Sequence, residues 1–208
     1  MFVKIAQKYI KFFEKQNFRD IIISLKSSCV TDTVAAYRKL ADLCDYPLHL
    51  GLTHAGTAET GAIRSTAALG ALLAEGIGDT IRVSLAGDPL REVAVAKELL
   101  ASLRLRQRDE VEIIACPTCG RTEADVAALA EDVRTQLAGA KSNISIAVMG
   151  CVVNGPGEAE GVDVAACCGK GKADIYVRGR RLRSVPADDI VKTLVAEARR
   201  LIDSCADD

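Results

Sequence analysis

The segment Thr80-Ile81-Arg82-Val83-Ser84-Leu85 has a strand pattern, and a helical pattern begins soon after it at Pro89 and runs to Leu103. Proline in the first turn and apolar residues spaced three to four apart are typical of a helix. A strand followed closely by a helix is the repeating unit of parallel α/β proteins. The segment therefore predicts an α/β fold.

Similar strand and helix pairs precede this one. Strands are predicted at 21–25 and 47–53, and helices at 33–44 and 61–75, after an amphipathic N-terminal helix at 2–13. Ligands of parallel α/β folds bind at the carboxyl ends of strands, where this chain carries polar residues. Three strands cannot close a barrel of this type, which needs eight strands and about 250 residues.

A charged connector at 104–110 separates this half from the next. We place a domain boundary near residue 108, between a domain at 1–107 and a domain at 108–208. In the second domain the apolar patterns predict four strands and two helices. The strands are predicted at 111–115, 144–149, 162–166 and 174–177, and the helices at 123–137 and 188–203.

Composition excludes several classes of protein. The 208 residues carry 27 basic and 28 acidic side chains, which argues against a protein that mainly binds a nucleic-acid backbone. No stretch predicts a membrane span or a signal peptide, so we expect a cytoplasmic protein. In that compartment the eight cysteines are expected to be reduced rather than paired in disulfides.

Three of those cysteines have a notable spacing. Cys116-Pro117-Thr118-Cys119 follows a predicted strand, and Cys151 follows the next one. A Cys-x-x-Cys turn alone suits zinc, redox or cluster chemistry, but a third thiol at a neighbouring strand end favours a metal centre. Glu158, after a Gly-Pro-Gly turn, is either a fourth ligand or a solvated turn residue. Cys167 and Cys168 should point to opposite faces of their strand, so at most one could join a zinc site.

Two long motifs carry a family resemblance. Residues 115–121, Ala115-Cys116-Pro117-Thr118-Cys119-Gly120-Arg121, and residues 149–159, Met149-Gly150-Cys151-Val152-Val153-Asn154-Gly155-Pro156-Gly157-Glu158-Ala159, resemble the iron–sulfur domain of 4-hydroxy-3-methylbut-2-enyl diphosphate synthases. Residues 23–26, 47–53 and 75–85 resemble the later part of that family's barrel. The resemblance implies the C-terminal part of a (β/α)8 TIM-type barrel, about three βα units, followed by a small α/β iron–sulfur domain.

The resemblance also implies an activity: the reductive dehydroxylation and ring opening of 2-C-methyl-D-erythritol 2,4-cyclodiphosphate. Ferredoxin or flavodoxin would supply two electrons through a [4Fe-4S] cluster, and the complete enzyme would be a homodimer. The implied cluster ligands are Cys116, Cys119, Cys151 and Glu158. The implied contacts of the substrate diphosphate are Lys26, Arg82 and Ser84, which suit an anionic group.

The chain departs from the family pattern in two ways. His54 stands where the family has a glutamate thought to assist proton transfer, and histidine can also donate a proton near neutral pH. The family's barrel begins well upstream of Met1, so the chain resembles a C-terminal fragment, and we expect it to be inactive alone. The alternative is an inactive or split fragment that acts only as an iron–sulfur or zinc module.

A basic stretch suggests another alternative, a zinc domain that binds nucleic acid, but a solvated hairpin explains it better. Its basic residues are Lys170, Lys172, Arg178, Arg180, Arg181 and Arg183, with Tyr176 as the one aromatic.

Overall fold

The computed structural model describes residues 1–53 and 56–206. The chain divides into two compact units, Met1–Arg106 (the first unit) and Gln107–Asp208 (the second unit), beside the boundary proposed near residue 108. Each unit has its own hydrophobic core, and the mixture of helices and strands confirms the predicted α/β class. In the part of the chain that is described, no helix is long and apolar enough to cross a bilayer.

The first unit alternates helices with short strands. Its elements are α1 (Phe2–Lys15), α2 (Val30–Ala41), β1 (His49–Gly51), α3 (Ala58–Leu73), β2 (Thr80–Arg82) and α4 (Pro89–Ser102). β1 and β2 pair in parallel, with His49 opposite Thr80 and Gly51 opposite Arg82. Asp88 caps α4 by accepting a hydrogen bond from the backbone N–H of Leu90, and Pro89 fixes its first turn.

The predicted strand at 21–25 is wrong as a continuous strand, because only Ile23 forms a bridge, to Leu48. The Tyr37 hydroxyl accepts from the Leu25 backbone N–H at 2.8 Å and donates to the His49 carbonyl at 2.6 Å. A regular parallel ladder would join those two backbone groups directly. Tyr37 is fully buried, so its hydroxyl is held in that position and interrupts the pairing. Beyond it, the Thr53 backbone N–H donates to the Ser27 carbonyl at 3.0 Å.

Alternation along β1 separates a buried face from a polar face. Leu48, Leu50 and Leu52 are buried in the core of the first unit. Residues at every second position of a strand share a face, so His49 and Gly51 lie on the other side. The polar face of β1 and β2 carries the half-buried His49 and the exposed Thr80 and Arg82.

The second unit is built on a five-stranded sheet in the order β3-β4-β5-β6-β7. Pairing is parallel from β3 to β5 and antiparallel from β5 to β7. The elements are β3 (Glu112–Ala115), α5 (Val126–Gln136), β4 (Ser145–Met149), α6 (Gly155–Glu158), β5 (Val164–Gly169), β6 (Lys172–Val177), β7 (Arg180–Pro186), a 3-10 turn (Ala187–Asp189) and α7 (Ile190–Ala206).

The sheet has a different cover on each face. Residues of α5 and α7 pack with Cys168 in one core, while Cys167 packs with Met149 and Ala159 on the other face. The prediction that Cys167 and Cys168 point to opposite faces is confirmed, and both are buried.

The basic stretch forms β6, β7 and their turn, although β7 was not predicted as a strand. Arg181 pairs with Asp174 at 2.8 Å and Arg183 with Glu197 at 3.6 Å. These arginines are therefore partly neutralised within a hairpin at the edge of the sheet.

Candidate functional site

Cys116 and Cys151 leave the same edge of the second unit's sheet. β3 and β4 are parallel neighbours in which Ala115 lies opposite Val148. Cys116 directly follows β3, and its backbone N–H still donates to the Val148 carbonyl at 3.1 Å. Cys151 comes two residues after the end of β4. The expectation that these two cysteines follow neighbouring strand ends is confirmed.

Gly150 connects the two cysteine loops. Its backbone N–H donates to the Cys116 sulfur at 3.1 Å. A Cβ atom at Gly150 would lie 3.0 Å from the Thr122 methyl group, which is tighter than ordinary packing. Thr122 in turn accepts from the Cys119 backbone N–H at 3.0 Å. The lack of a side chain at Gly150 therefore lets the Cys119 loop pack against the chain just before Cys151.

The surroundings of Cys119 and Cys151 favour thiolates. The backbone N–H of Arg121, followed by its side chain and that of Thr122, lowers the pKa of Cys119. The backbone N–H groups of Asn154 and Val153 lower the pKa of Cys151, and the Arg121 charge adds to this. Thiolates are the form that binds metals, so these loops are chemically suited to a metal centre.

Glu158 lies in α6, a single helical turn where the sequence indicated a plain turn. α6 packs on β5 so closely that a Cβ at Gly155 would be 2.9 Å from the Cys167 sulfur. Burial raises the pKa of Cys167 to about 12, and the nearby charges of Cys151 and Glu158 contribute to that rise. Cys151 and the exposed Glu158 are thus both near Cys167, on the side of the sheet that α6 covers.

Within residues 1–53 and 56–206, no three His, Cys, Asp or Glu side chains surround a point where a single metal ion could bind. A four-iron cluster has a different requirement, because each protein ligand binds a different iron and the ligands stand further apart. N–H groups directed at the ligand sulfurs are part of such sites. The Gly150 N–H is directed at the Cys116 sulfur in this way. The donor set therefore fits a cluster, and the ligand roles themselves stay predictions.

The first unit carries a group of cations on the polar face of β1 and β2. Partial burial, and then the nearby Arg82 guanidinium, lowers the pKa of Lys26. Partial burial, followed by the charges of Lys26 and Arg82, lowers the pKa of His49. Lys26 and Arg82, which were predicted from the sequence as diphosphate contacts, therefore lie close together.

His49 was not singled out in the sequence, although a signal for it existed. His49, Gly51 and Thr53 alternate with Leu48, Leu50 and Leu52, so His49 belongs to the polar face. Ser84, the third predicted contact, is half-buried two residues beyond the end of β2. His54 lies outside the described residues.

These two groups define a class of α/β protein: one unit with a basic face beside parallel strands, and another with three thiols on neighbouring loops. Family comparison agrees with that division, because the GcpE TIM-barrel domain matches residues 1–97 and the GcpE protein C-terminal domain matches residues 112–200. The chain belongs to the GcpE family, which confirms the resemblance seen in the cysteine motifs.

Relatives in three organisms are similar across nearly all of this chain. Identity is 53% over 191 residues with the Salinispora arenicola protein, covering 92% of this chain and 49% of the relative. Identity is 52% over 196 residues with the Frankia casuarinae protein, covering 94% of this chain and 51% of the relative. Identity is 50% over 192 residues with the Corynebacterium efficiens protein, covering 92% of this chain and 50% of the relative.

All three relatives are named 4-hydroxy-3-methylbut-2-en-1-yl diphosphate synthase (flavodoxin). The chain spans about half the length of these curated relatives.

Proposed function

We propose that the chain supplies the cluster domain and part of the substrate barrel of an enzyme that reductively opens 2-C-methyl-D-erythritol 2,4-cyclodiphosphate to 4-hydroxy-3-methylbut-2-enyl diphosphate. The first unit is the C-terminal part of that barrel, and the second unit is the iron–sulfur domain. The observation that carries the proposal is the exit of Cys116 and Cys151 from neighbouring parallel strands, with the Cys119 loop packed against them. Membership of the family supports it.

Cys116, Cys119, Cys151 and Glu158 would hold a [4Fe-4S] cluster. When bound, the cluster would pass two electrons from the donor to the substrate, while two protons enter and one oxygen leaves as water. The donor is flavodoxin, the one that the relatives' names give, with ferredoxin as the other family option. Arg121 favours the thiolates of Cys119 and Cys151, which must be deprotonated before they bind iron.

The first unit would hold the substrate. Arg82 would bind the diphosphate with its fork of N–H donors, Lys26 would add a point charge, and Ser84 would contribute a hydroxyl. His54 would take the proton-transfer role of the family's glutamate. The complete enzyme would be a homodimer.

Anaerobic reconstitution tests the cluster. We expect four irons and four sulfides per chain and a cubane-type EPR signal on reduction. Cys151→Ala should lose this cluster, whereas the matched control Cys29→Ala, which removes an exposed thiol of the first unit, should keep it. One zinc and no iron per chain would contradict the proposal and favour a zinc module.

Activity is tested separately, with the reconstituted chain, the cyclodiphosphate and a chemical reductant. We expect turnover only when the part of a relative that this chain does not match is also present. Rapid turnover by the 208 residues alone would contradict that expectation. A loaded cluster without turnover in either mixture would favour an inactive iron–sulfur module.

A further inference from the structure

The polar face of β1 and β2 holds three basic side chains on a compact patch. His49 and Gly51 lie on β1, opposite Thr80 and Arg82 on β2. A Cβ at Gly51 would be 3.1 Å from Cε and 3.5 Å from Nζ of Lys26, so the lysine side chain lies across the glycine. Glycine at position 51 therefore lets Lys26 reach the face that His49 and Arg82 share.

The positive charge of this patch is not balanced within the described residues. No described carboxylate forms an ion pair with Lys26 or Arg82. Asp79, the nearest acid along β2, accepts a hydrogen bond from the Leu48 backbone N–H at 2.8 Å. A cluster of cations that lacks an acidic partner attracts an anion of matching size and charge.

His49 is held in one orientation on this patch. Its Nδ1 atom lies 2.8 Å from the Thr80 hydroxyl, on the strand position directly opposite. With Nδ1 engaged, Nε2 is the ring atom left to meet a ligand. Burial and the charges of Lys26 and Arg82 lower the pKa of His49, so the ring is neutral near pH 7 when no anion is present.

We propose that His49 is a further contact of the bound diphosphate group, donating from Nε2 to a phosphoryl oxygen and taking up one proton as the group binds. A diphosphate offsets the charges of Lys26 and Arg82 and places an acceptor beside the ring, and both effects favour the imidazolium form. The proposal rests on the proposed function only for the identity of the diphosphate ligand. It adds a residue and a proton to that binding step.

NMR of the full chain with inorganic pyrophosphate tests this. The chain has two histidines, so His54→Asn leaves the ring signals of His49 alone. We expect saturating pyrophosphate to raise the titration midpoint of His49 by about one pH unit, a tenfold change in proton affinity. Orthophosphate at equal ionic strength, which lacks the second phosphoryl group, should shift it less.

Variants distinguish a direct contact between His49 and pyrophosphate from a general electrostatic attraction of the anion to the chain. At pH 6, His49→Asn keeps a polar atom near Thr80 but not the reach of Nε2, and it should weaken pyrophosphate binding about fivefold to tenfold. His49→Gln, which places an amide near the Nε2 position, should recover part of the loss. The control Lys39→Met removes an exposed charge of α2 and should leave the dissociation constant unchanged.

Two results would overturn the proposal: a His49 midpoint that pyrophosphate does not move, or equal binding by His49→Asn and the unmodified chain. Both measurements are independent of iron content. A chain that loads four irons but shows no His49 response refutes only this proposal, while a His49 response in a chain that cannot load iron refutes only the cluster.

Discussion

The Tyr37 side chain bridges two backbone groups that a regular strand pairing would join directly. Its hydroxyl joins the Leu25 N–H and the His49 carbonyl, and Ser24 also donates to that carbonyl at 2.8 Å. In the Tyr37→Phe variant the His49 carbonyl still accepts a hydrogen bond from Ser24, but the buried Leu25 N–H loses its acceptor. We expect a loss of about 1–3 kcal/mol in the free energy of unfolding, measured by urea denaturation.

The matched control is Tyr46→Phe. The Tyr46 hydroxyl donates to the Glu14 carboxylate at 3.1 Å from a position that water can reach. Water can replace that bond, so the change should be clearly smaller than for Tyr37→Phe. Equal losses in the two variants would show that the inserted hydroxyl contributes nothing specific to the sheet.

Two glycines of α6 provide a matched pair. A Cβ at Gly155 would meet the Cys167 sulfur at 2.9 Å and the Met149 Cβ at 3.1 Å, whereas a Cβ at Gly157 meets nothing within 4 Å. Gly155→Ala should therefore cost about 1–3 kcal/mol and displace the turn that carries Glu158. Gly157→Ala should be neutral or slightly stabilising.

Urea midpoints and iron content together test this pair. We expect Gly155→Ala to lower the urea midpoint and the iron content. Gly157→Ala should leave both quantities near those of the unmodified chain. Full iron content in a destabilised Gly155→Ala chain would contradict the link between α6 packing and Glu158.

At the scale of elements, local sequence patterns predicted the helices and strands that bury one face or one stripe of apolar side chains. α3, α4 and α5 follow from apolar spacing, and the leucines around His49 mark a strand with a polar face. The break at 21–25 could not be seen, because the interrupting hydroxyl comes from α2. β7 was missed because an edge strand with four arginine and leucine side chains exposed gives no buried alternation.

The candidate site shows the same limit. The three cysteines and their strand ends could be read from spacing and apolar runs. The role of Gly150 could not, because it depends on the close approach of Thr122 from another loop. Side-chain contacts between loops are set by tertiary packing and leave no periodic signal.

The two cysteines inside β5 should behave as inert thiols. Burial raises the pKa of Cys167 to about 12 and that of Cys168 to about 11. The thiolate is the reactive form, so both should resist alkylation at pH 8 in the folded chain. Cys29 is exposed, and hydrogen bonds from Thr31 and the Asp32 backbone lower its pKa, so it should react well before Cys167 and Cys168. Peptide mass spectrometry gives the order, and early labelling of Cys167 would contradict it.

The same shifts give a direction for stability. A thiol whose pKa is higher in the folded chain than its ordinary 9.0 stays protonated while the unfolded chain ionises. The free energy of unfolding should therefore fall as pH rises from about 9 to 12. Replacing Cys168 by Ala should make that fall less steep in urea titrations, and an unchanged slope would count against the burial argument.

At the scale of the whole molecule, each unit should unfold by itself. The second unit encloses a five-stranded sheet with helices on both faces and many fully buried side chains. The first unit has a two-stranded ladder with a polar face, and α1 exposes Phe2, Ile5, Tyr9 and Phe12. Two strands provide little independent stability, whereas a larger sheet packed on helices provides much more.

We therefore expect urea to unfold the chain in two steps, with the first unit opening first. Hydrogen exchange should show protection that is lost early in β1 and β2 and late in β4, β5 and β6. A segment of residues 107–208 expressed alone should give a dispersed NMR spectrum, because its core includes no residue of the first unit. A single transition with equal protection in both units would mean that they fold as one cooperative body, and the separate cores would then not set the stability of the chain.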